Sequence, residues 1–344
     1  MKVDLMVGGG RLDEIQELAR RAEAAGIAGL VFTETGRTAY LSVAAAALAT
    51  ERLELSTGIA VAFPRSPMVT AGTAYELADV SKGRFRLGLG TQVKAHIERR
   101  YGVAYDHPGP RLKDYVLALR AIFAAFEGAK LDYHGPFYTL TLLNSQWSPG
   151  RIEHPDLAID VAAVGPWMLR MAGEVADGVH VHPLNNRAYL TDTVLPEVAA
   201  GAAKAGRDAA RVELLVPSFT AVGDTDAEQA QWREAARSQV AFYGSTPNYA
   251  FIFDQLGFEG TTARIREKQK AGDLAGMAAQ VTDDILDHFA VTATWDQLAD
   301  KLVERYTGAA HRVVLYFAAQ HAKRDPGVLE RYGAVAAEVA RRTA

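Results

Sequence analysis

The chain has 344 residues, 37 Lys and Arg against 41 Asp and Glu, and no cysteine. A net charge of −4 gives no electrostatic case for nucleic acid, and the missing cysteines exclude disulfides, thiolate metal sites and a cysteine nucleophile. Hydrophobic residues at 49% supply a large core and argue against disorder.

The opening residues are too interrupted for a signal peptide, and Leu41–Thr50 falls well short of the ~20 apolar residues of a membrane span. The expectation is a cytoplasmic protein without membrane contact. Lys2–Val7 reads as a strand stopped by Gly8, Gly9 and Gly10. Leu12, Ile15, Leu18, Ala19, Ala22 and Ala25 recur at helical spacing up to Gly26. Strand and helix then alternate: strand 29–33, helix 40–50, strand 53–61, helix 67–80, strand 84–90, helix 111–126. A hairpin over 131–140 follows, then strand 157–163, helix 167–175, strand 178–182, helix 190–205, strand 212–222 and helix 227–243. Residues 246–290 break the rhythm. A helix over 295–306, a strand over 311–318 and a helix over 327–342 close the chain.

Eight βα steps with nearly continuous apolar strands predict a parallel sheet covered by helices. The fold class is α/β, a (β/α)8 TIM barrel in one domain over 1–344, with insertions near 128–156 and 244–290. In such a barrel the chemistry sits just after each strand. That rule singles out Gly8–Gly10, Glu34–Thr35, Gly58–Phe63, Thr91–His96, Val164–Pro166, His182–Leu184, Pro217–Phe219 and Ala319–His321.

Glu34 offers a carboxylate there. Lys94, Arg99 and Arg100 meet either an anion or solvent. Gly88-x-Gly90 lacks the third glycine of a dinucleotide fingerprint. The helix beginning at Pro166 presents free N–H groups, which attract phosphate; a plain tight turn explains the same residues. His180 and His182 share a strand face but have no further ligand nearby, so no metal is expected. Serine-elbow, Walker and His-Glu-x-x-His motifs are absent.

The runs Ala25–Glu34, Thr57–Pro67, Ser81–Gln92, Ala162–Pro166 and Ala176–Gly178 resemble the bacterial luciferase-like superfamily. The resemblance covers nearly the whole chain and points to the branch of oxidoreductases that use the deazaflavin coenzyme F-420. It implies a non-proline cis peptide at Gly58–Ile59 backing the cofactor ring, beside Ala60. It implies that Ala163, Val164, Gly165 and Pro166 hold the cofactor phosphate. Thr91, Gln92 and His96 would flank ring and tail. Glu34 would be the proton donor at the ring and His182 the second choice, with Arg37 as the cation a merely paired Glu34 would meet. The sugar-phosphate dehydrogenases of the family differ: their His, Glu and Lys fall here at Thr35, Val93 and near Asn185. Sugar-phosphate oxidation is therefore not expected.

The implied activity is hydride transfer between F-420 and a small organic substrate, in a homodimer by family resemblance. Phe63, Trp147, Phe219, Tyr249, Phe251 and Phe253 are candidates to cover the ring. The alternatives are an FMN-dependent monooxygenase and a cofactor-binding protein without turnover. A deazaflavin lacks the ring nitrogen used for oxygen activation, so cofactor identity decides the chemistry.

Overall fold

A computed structural model describes residues 1–344. The strands are β1 (Lys2–Val7), β2 (Gly29–Phe32), β3 (Glu54–Thr57), β4 (Ala60–Val61), β5 (Phe85–Gly90), β6 (Tyr133–His134), β7 (Thr139–Leu140), β8 (Ala158–Ala163), β9 (Gly178–Val181), β10 (Glu213–Val222), β11 (Ala290–Ala293) and β12 (Arg312–Leu315). Eight of them run parallel in the order β1, β2, β3, β5, β8, β9, β10, β12, and β12 returns to β1. The sheet is closed, as a (β/α)8 barrel requires.

Around the strands lie α1 (Leu12–Ala24), α2 (Ala39–Ala49), α3 (Pro67–Val80), α4 (Lys94–Arg99), α5 (Pro108–Phe126), α6 (Pro166–Val175), α7 (Arg187–Tyr189) and α8 (Leu195–Lys204). They continue as α9 (Asp226–Gly244), α10 (Ala250–Asp254), α11 (Thr261–Lys270), α12 (Leu274–Ala279), α13 (Asp283–Phe289), α14 (Trp295–Tyr306), α15 (Ala318–Arg324) and α16 (Val328–Arg342). No helix is long and apolar enough to cross a membrane.

Residues two apart on a strand share a face. Asp4, Glu54, Arg86, Asp160, Glu213 and Arg312 thus point into the barrel near its N-terminal end. There Arg312 grips both oxygens of Asp4 at 2.6 and 2.7 Å, and Arg86 grips both oxygens of Asp160 at 2.9 and 2.7 Å. These buried pairs plug the floor. Above them Val31, Leu215 and Val314 pack together with Met6.

Three features depart from the sequence reading. The break over 246–290 folds as α10–α13 and β11, and β11 pairs with the far half of β10, from Phe219↔Ala290 to Val222↔Ala293. Four residues that pair only with a strand extension above the rim carry too little periodicity to read. With α9 this excursion forms the connection from β10 to α14, which puts it on the mouth side of the barrel. The last barrel strand ends at Leu315, because Ala318 already starts α15. The segment 94–99, expected as loop, is the helix α4. Ile252, Phe253, Met277 and Ile285 join the same hydrophobic cluster as the barrel strands, so the excursion shares the barrel's core.

Candidate active site

The upper barrel is reached by solvent. Met6, Thr33, Gly58, Ile59, Ala162, Val164, His182 and Tyr316 are partly accessible, whereas Leu5, Val161 and Val181 between them are buried. Alternation along each strand separates the two sets, so the accessible residues line a cavity opening at the C-terminal mouth.

The peptide bond Gly58–Ile59 is cis and interrupts β3 there. The Thr57 hydroxyl bridges the gap: it donates to Gly88 O at 2.7 Å and accepts from Gly88 N at 2.9 Å. Two glycines allow the close approach. A Cβ on Gly88 would lie 1.9 Å from Thr57 O and 2.4 Å from His180 Nε2, and one on Gly58 would lie 2.2 Å from Val31 Cγ1. The glycines at 88 and 90 serve packing and are no dinucleotide fingerprint.

Glu34 pairs with a cation other than the one expected. Its carboxylate is 8% exposed and accepts from Val61 N at 2.7 Å, from Arg65 Nη1 at 3.0 Å and from Arg65 Nη2 at 2.5 Å. Arg65 Nη1 also donates to Val61 O at 3.0 Å, and its guanidinium lies 5.0 Å over the Tyr40 ring. The bidentate ion pair engages both carboxylate oxygens of Glu34. Its cation is Arg65, not Arg37. Together the pair clamps both backbone polar groups of Val61 beside the bulge.

His182 ends β9 and faces the cavity. Its Nδ1 accepts the backbone N–H of Leu184 at 3.1 Å, which leaves the proton of a neutral ring on Nε2. Its ring centroid lies 4.7 Å from Tyr243 and 4.5 Å from Tyr249. Burial alone pushes its pKa down to about 3. His180, one step below, is 7% exposed with an unpartnered Nε2; burial first, opposed by nearby Asp160, sets it at about 4. No group of three or more metal-ligating side chains comes together in the structure.

The remaining expected residues are placed unevenly. Val164 lines the cavity, and its carbonyl accepts from the Tyr189 hydroxyl at 2.6 Å. Gly165 caps α6 without a side-chain bond, and Pro166 opens the helix, so the N–H groups of Trp167 and Met168 lack helical partners. Ala60 and Ala163 are 0% and 2% exposed and reach the site only through backbone. Gln92 sits at a positive φ of 55°, and its carbonyl accepts from Tyr105. Thr91 lies at the rim, while His96 is exposed on α4.

Among the aromatic candidates, Tyr249 and Phe251 hang over the mouth from the excursion. Phe219 and Phe253 are core at 1% and 0% exposure. Trp147 lies in the connection after α5, toward the opposite end of the barrel, and is 75% exposed; it cannot cover a ring at the mouth. His321 turns away to pack on Trp232 and Trp295.

Sequence reasoning missed Arg65, Tyr243, Tyr316 and Tyr189. Tyr316 follows β12 directly and was open to the strand-end rule. Its hydroxyl meets Tyr243 at 2.8 Å and donates to Gln239 Oε1 at 3.2 Å. Tyr243 and Tyr189 lie far from any strand end in sequence, and no spacing marks them.

The luciferase-like monooxygenase family model matches residues 2–312. The uncharacterized protein Rv1360 of Mycobacterium tuberculosis is 39% identical over 310 residues, spanning 88% of this chain and 91% of that one. A 5,10-methylenetetrahydromethanopterin reductase of Archaeoglobus fulgidus is 28% identical over 285 residues, 81% of each chain. Among solved structures, the coenzyme F420 dependent tetrahydromethanopterin reductase from Methanopyrus kandleri superposes with a TM-score of 0.78 at 20% identity, covering 96% of this chain and 97% of its own. That likeness bears on the fold. With the closed barrel and the match over nearly its whole length, this chain belongs to the luciferase-like monooxygenase family.

Proposed function

We propose that the protein is an F-420-dependent oxidoreductase that moves a hydride between the cofactor and a small organic substrate. The observation that carries this reading is the solvent-reaching cavity, bounded by Ile59 on one side and His182 on another, with the free start of α6 at its edge. A flat ring fits beside the bulge. A phosphate fits the unpaired N–H groups of Trp167 and Met168, where the dipole of a ten-residue helix adds attraction. Lys94, Arg99 and Arg100 lie on the neighbouring rim and suit an acidic tail. The similarity to the Archaeoglobus reductase supports the same choice over FMN.

When bound, the deazaflavin supplies or accepts the hydride. The chain's own residues orient it and exclude water. Glu34 and Arg65 fix the bulge, Tyr189 fixes the turn at Val164, and the excursion covers the mouth with Tyr249 and Phe251. The chain forms one domain in this reading.

The protein pairs with a second copy across α2 and α3. Ser42 and the Tyr40 hydroxyl are the only polar side-chain groups of α2. Leu41, Leu48 and Val69 on the outer faces are 56%, 70% and 57% exposed. A barrel helix that is apolar all round is one that is covered.

Mixing the protein with reduced F-420 and a panel of small acceptors, anaerobically and in air, tests the activity. The expected result is cofactor oxidation that needs the acceptor and proceeds without oxygen. Oxygen consumption with reduced FMN moves the function to a monooxygenase. Tight F-420 binding without turnover of any acceptor leaves a binding protein.

A further inference from the structure

The cavity is electrically lopsided. The cations near the mouth, Lys94, Arg99, Arg100 and Arg37, stand on the connections after β2 and β5. Across the barrel, the wall formed by His182, Tyr243, Tyr249 and Phe251 holds no carboxylate and no cation. Tyr243 and Tyr249 are the titratable groups packed against His182. Burial raises Tyr249 to about 12 and drives Tyr243 higher still, so both phenols stay neutral. No charged group contributes to the shift at His182 itself.

Two polar hydrogens on this wall lack a protein partner, the hydroxyl proton of Tyr249 and the ring proton of His182, and the second sits at the end of a barrel strand. Leu184 N–H occupies His182 Nδ1, so the ring's proton sits on Nε2, and that atom has no protein partner. It is partly accessible to the cavity. The Tyr316 hydroxyl is engaged by Gln239 and Tyr243. A charged substrate group placed here would be desolvated with no counter-charge, which is costly. An uncharged acceptor would gain a hydrogen bond in a low-dielectric setting.

Resting on the proposed F-420 chemistry, we propose that the reacting end of the substrate is an uncharged planar carbonyl or imine. Its heteroatom accepts the Nε2–H of His182, with tyrosine rings against it. Neutral His182 is then a hydrogen-bond donor and substrate selector; it is not the titrating acid. In reduction, a bound reduced deazaflavin would supply the hydride to the carbon, the π pair would pass to the heteroatom held by His182, and one proton from water would complete the product. Cofactor and substrate exchange two electrons.

The test uses acetophenone, its charged counterpart 4-acetylbenzoate and the non-reducible benzamide as probes. Nitrogen NMR of histidine-labelled protein reads His182, assigned with the His182→Phe variant. The expected spectrum is a neutral ring protonated at Nε2 that does not titrate between pH 8 and 5. Acetophenone and benzamide should shift that resonance, and 4-acetylbenzoate should bind at least tenfold more weakly. His182→Phe should weaken acetophenone binding by about tenfold. His182→Gln, which places an N–H near the Nε2 position, should recover most of that loss. Titration of the ring near pH 6, equal or tighter binding of 4-acetylbenzoate, no response to any probe, or intact acetophenone binding by the Phe variant overturns the inference. The NMR and probe arms run without cofactor. Failure to bind F-420 in a parallel titration therefore counts against the cofactor reading alone.

Discussion

Changing Glu34 to Gln keeps the size of the side chain and removes its charge. In the structure this leaves the Arg65 guanidinium beside an amide, with its side chain 24% exposed and its partner's side chain at 5%. Breaking a buried pair by removing one partner costs about 3–5 kcal/mol. Partial exposure of Arg65 lets water recover some of this, so the expected loss is about 2–3 kcal/mol. At roughly 2 °C per kcal/mol for a chain of this size, melting should fall by about 5 °C. Reversible urea unfolding of wild type, Glu34→Gln, Arg65→Met and the double variant isolates the pair. The coupling energy should reach at least about 1 kcal/mol, because the double variant no longer buries an orphan charge. A Gln variant within about 0.5 kcal/mol of wild type, or no coupling, would refute the clamp. Preserved stability with turnover lost by orders of magnitude would instead support Glu34 as a proton donor.

The two barrel histidines predict a pH dependence of stability. His180 and His182 sit at about 4 and about 3 when folded and near 6.5 when unfolded, so below that value the unfolded chain binds more protons. Stability should be full above about pH 6.5 and fall toward pH 4 by up to about 1.4 kcal/mol per unit for each histidine. His182→Phe should remove roughly half of that slope in urea unfolding at pH 7.5, 6 and 5, and a flat wild-type profile would contradict it. Gly88→Ala should destabilise by about 3 kcal/mol or more, since its Cβ would lie 1.9 Å from Thr57 O, which is backbone. Normal unfolding of that variant would mean the barrel tolerates the shift. Leu48→Glu, on the outer face of α2, should convert a dimer into a monomer in analytical ultracentrifugation; a monomeric wild type would remove the proposed interface.

The barrel was legible because each strand is a short buried apolar run and most outer helices carry an apolar stripe. Lys2–Val7 and Pro67–Val80 end where the sequence places them. The strand-end rule brought Glu34, Val164 and His182 to one mouth. It could not supply their partners. Arg65 reaches Glu34 over 31 positions in sequence, and Tyr243 reaches His182 from the last turn of α9, 61 positions along the chain. Trp147 failed for a related reason: composition marks it as a candidate cover, but the side of the barrel on which its connection runs is a topological fact. The cation expected beside Glu34 was likewise a matter of neighbours, and Arg65 in bidentate contact takes the place of Arg37.

The central claim, that this cavity is built for a deazaflavin, is tested most directly by equilibrium titration of the purified protein with F-420 and FMN side by side. F-420 should bind at about micromolar Kd or tighter and FMN at least tenfold more weakly, a gap of about 1.4 kcal/mol that a few tail contacts supply. Tighter binding of FMN than of F-420 would contradict the account.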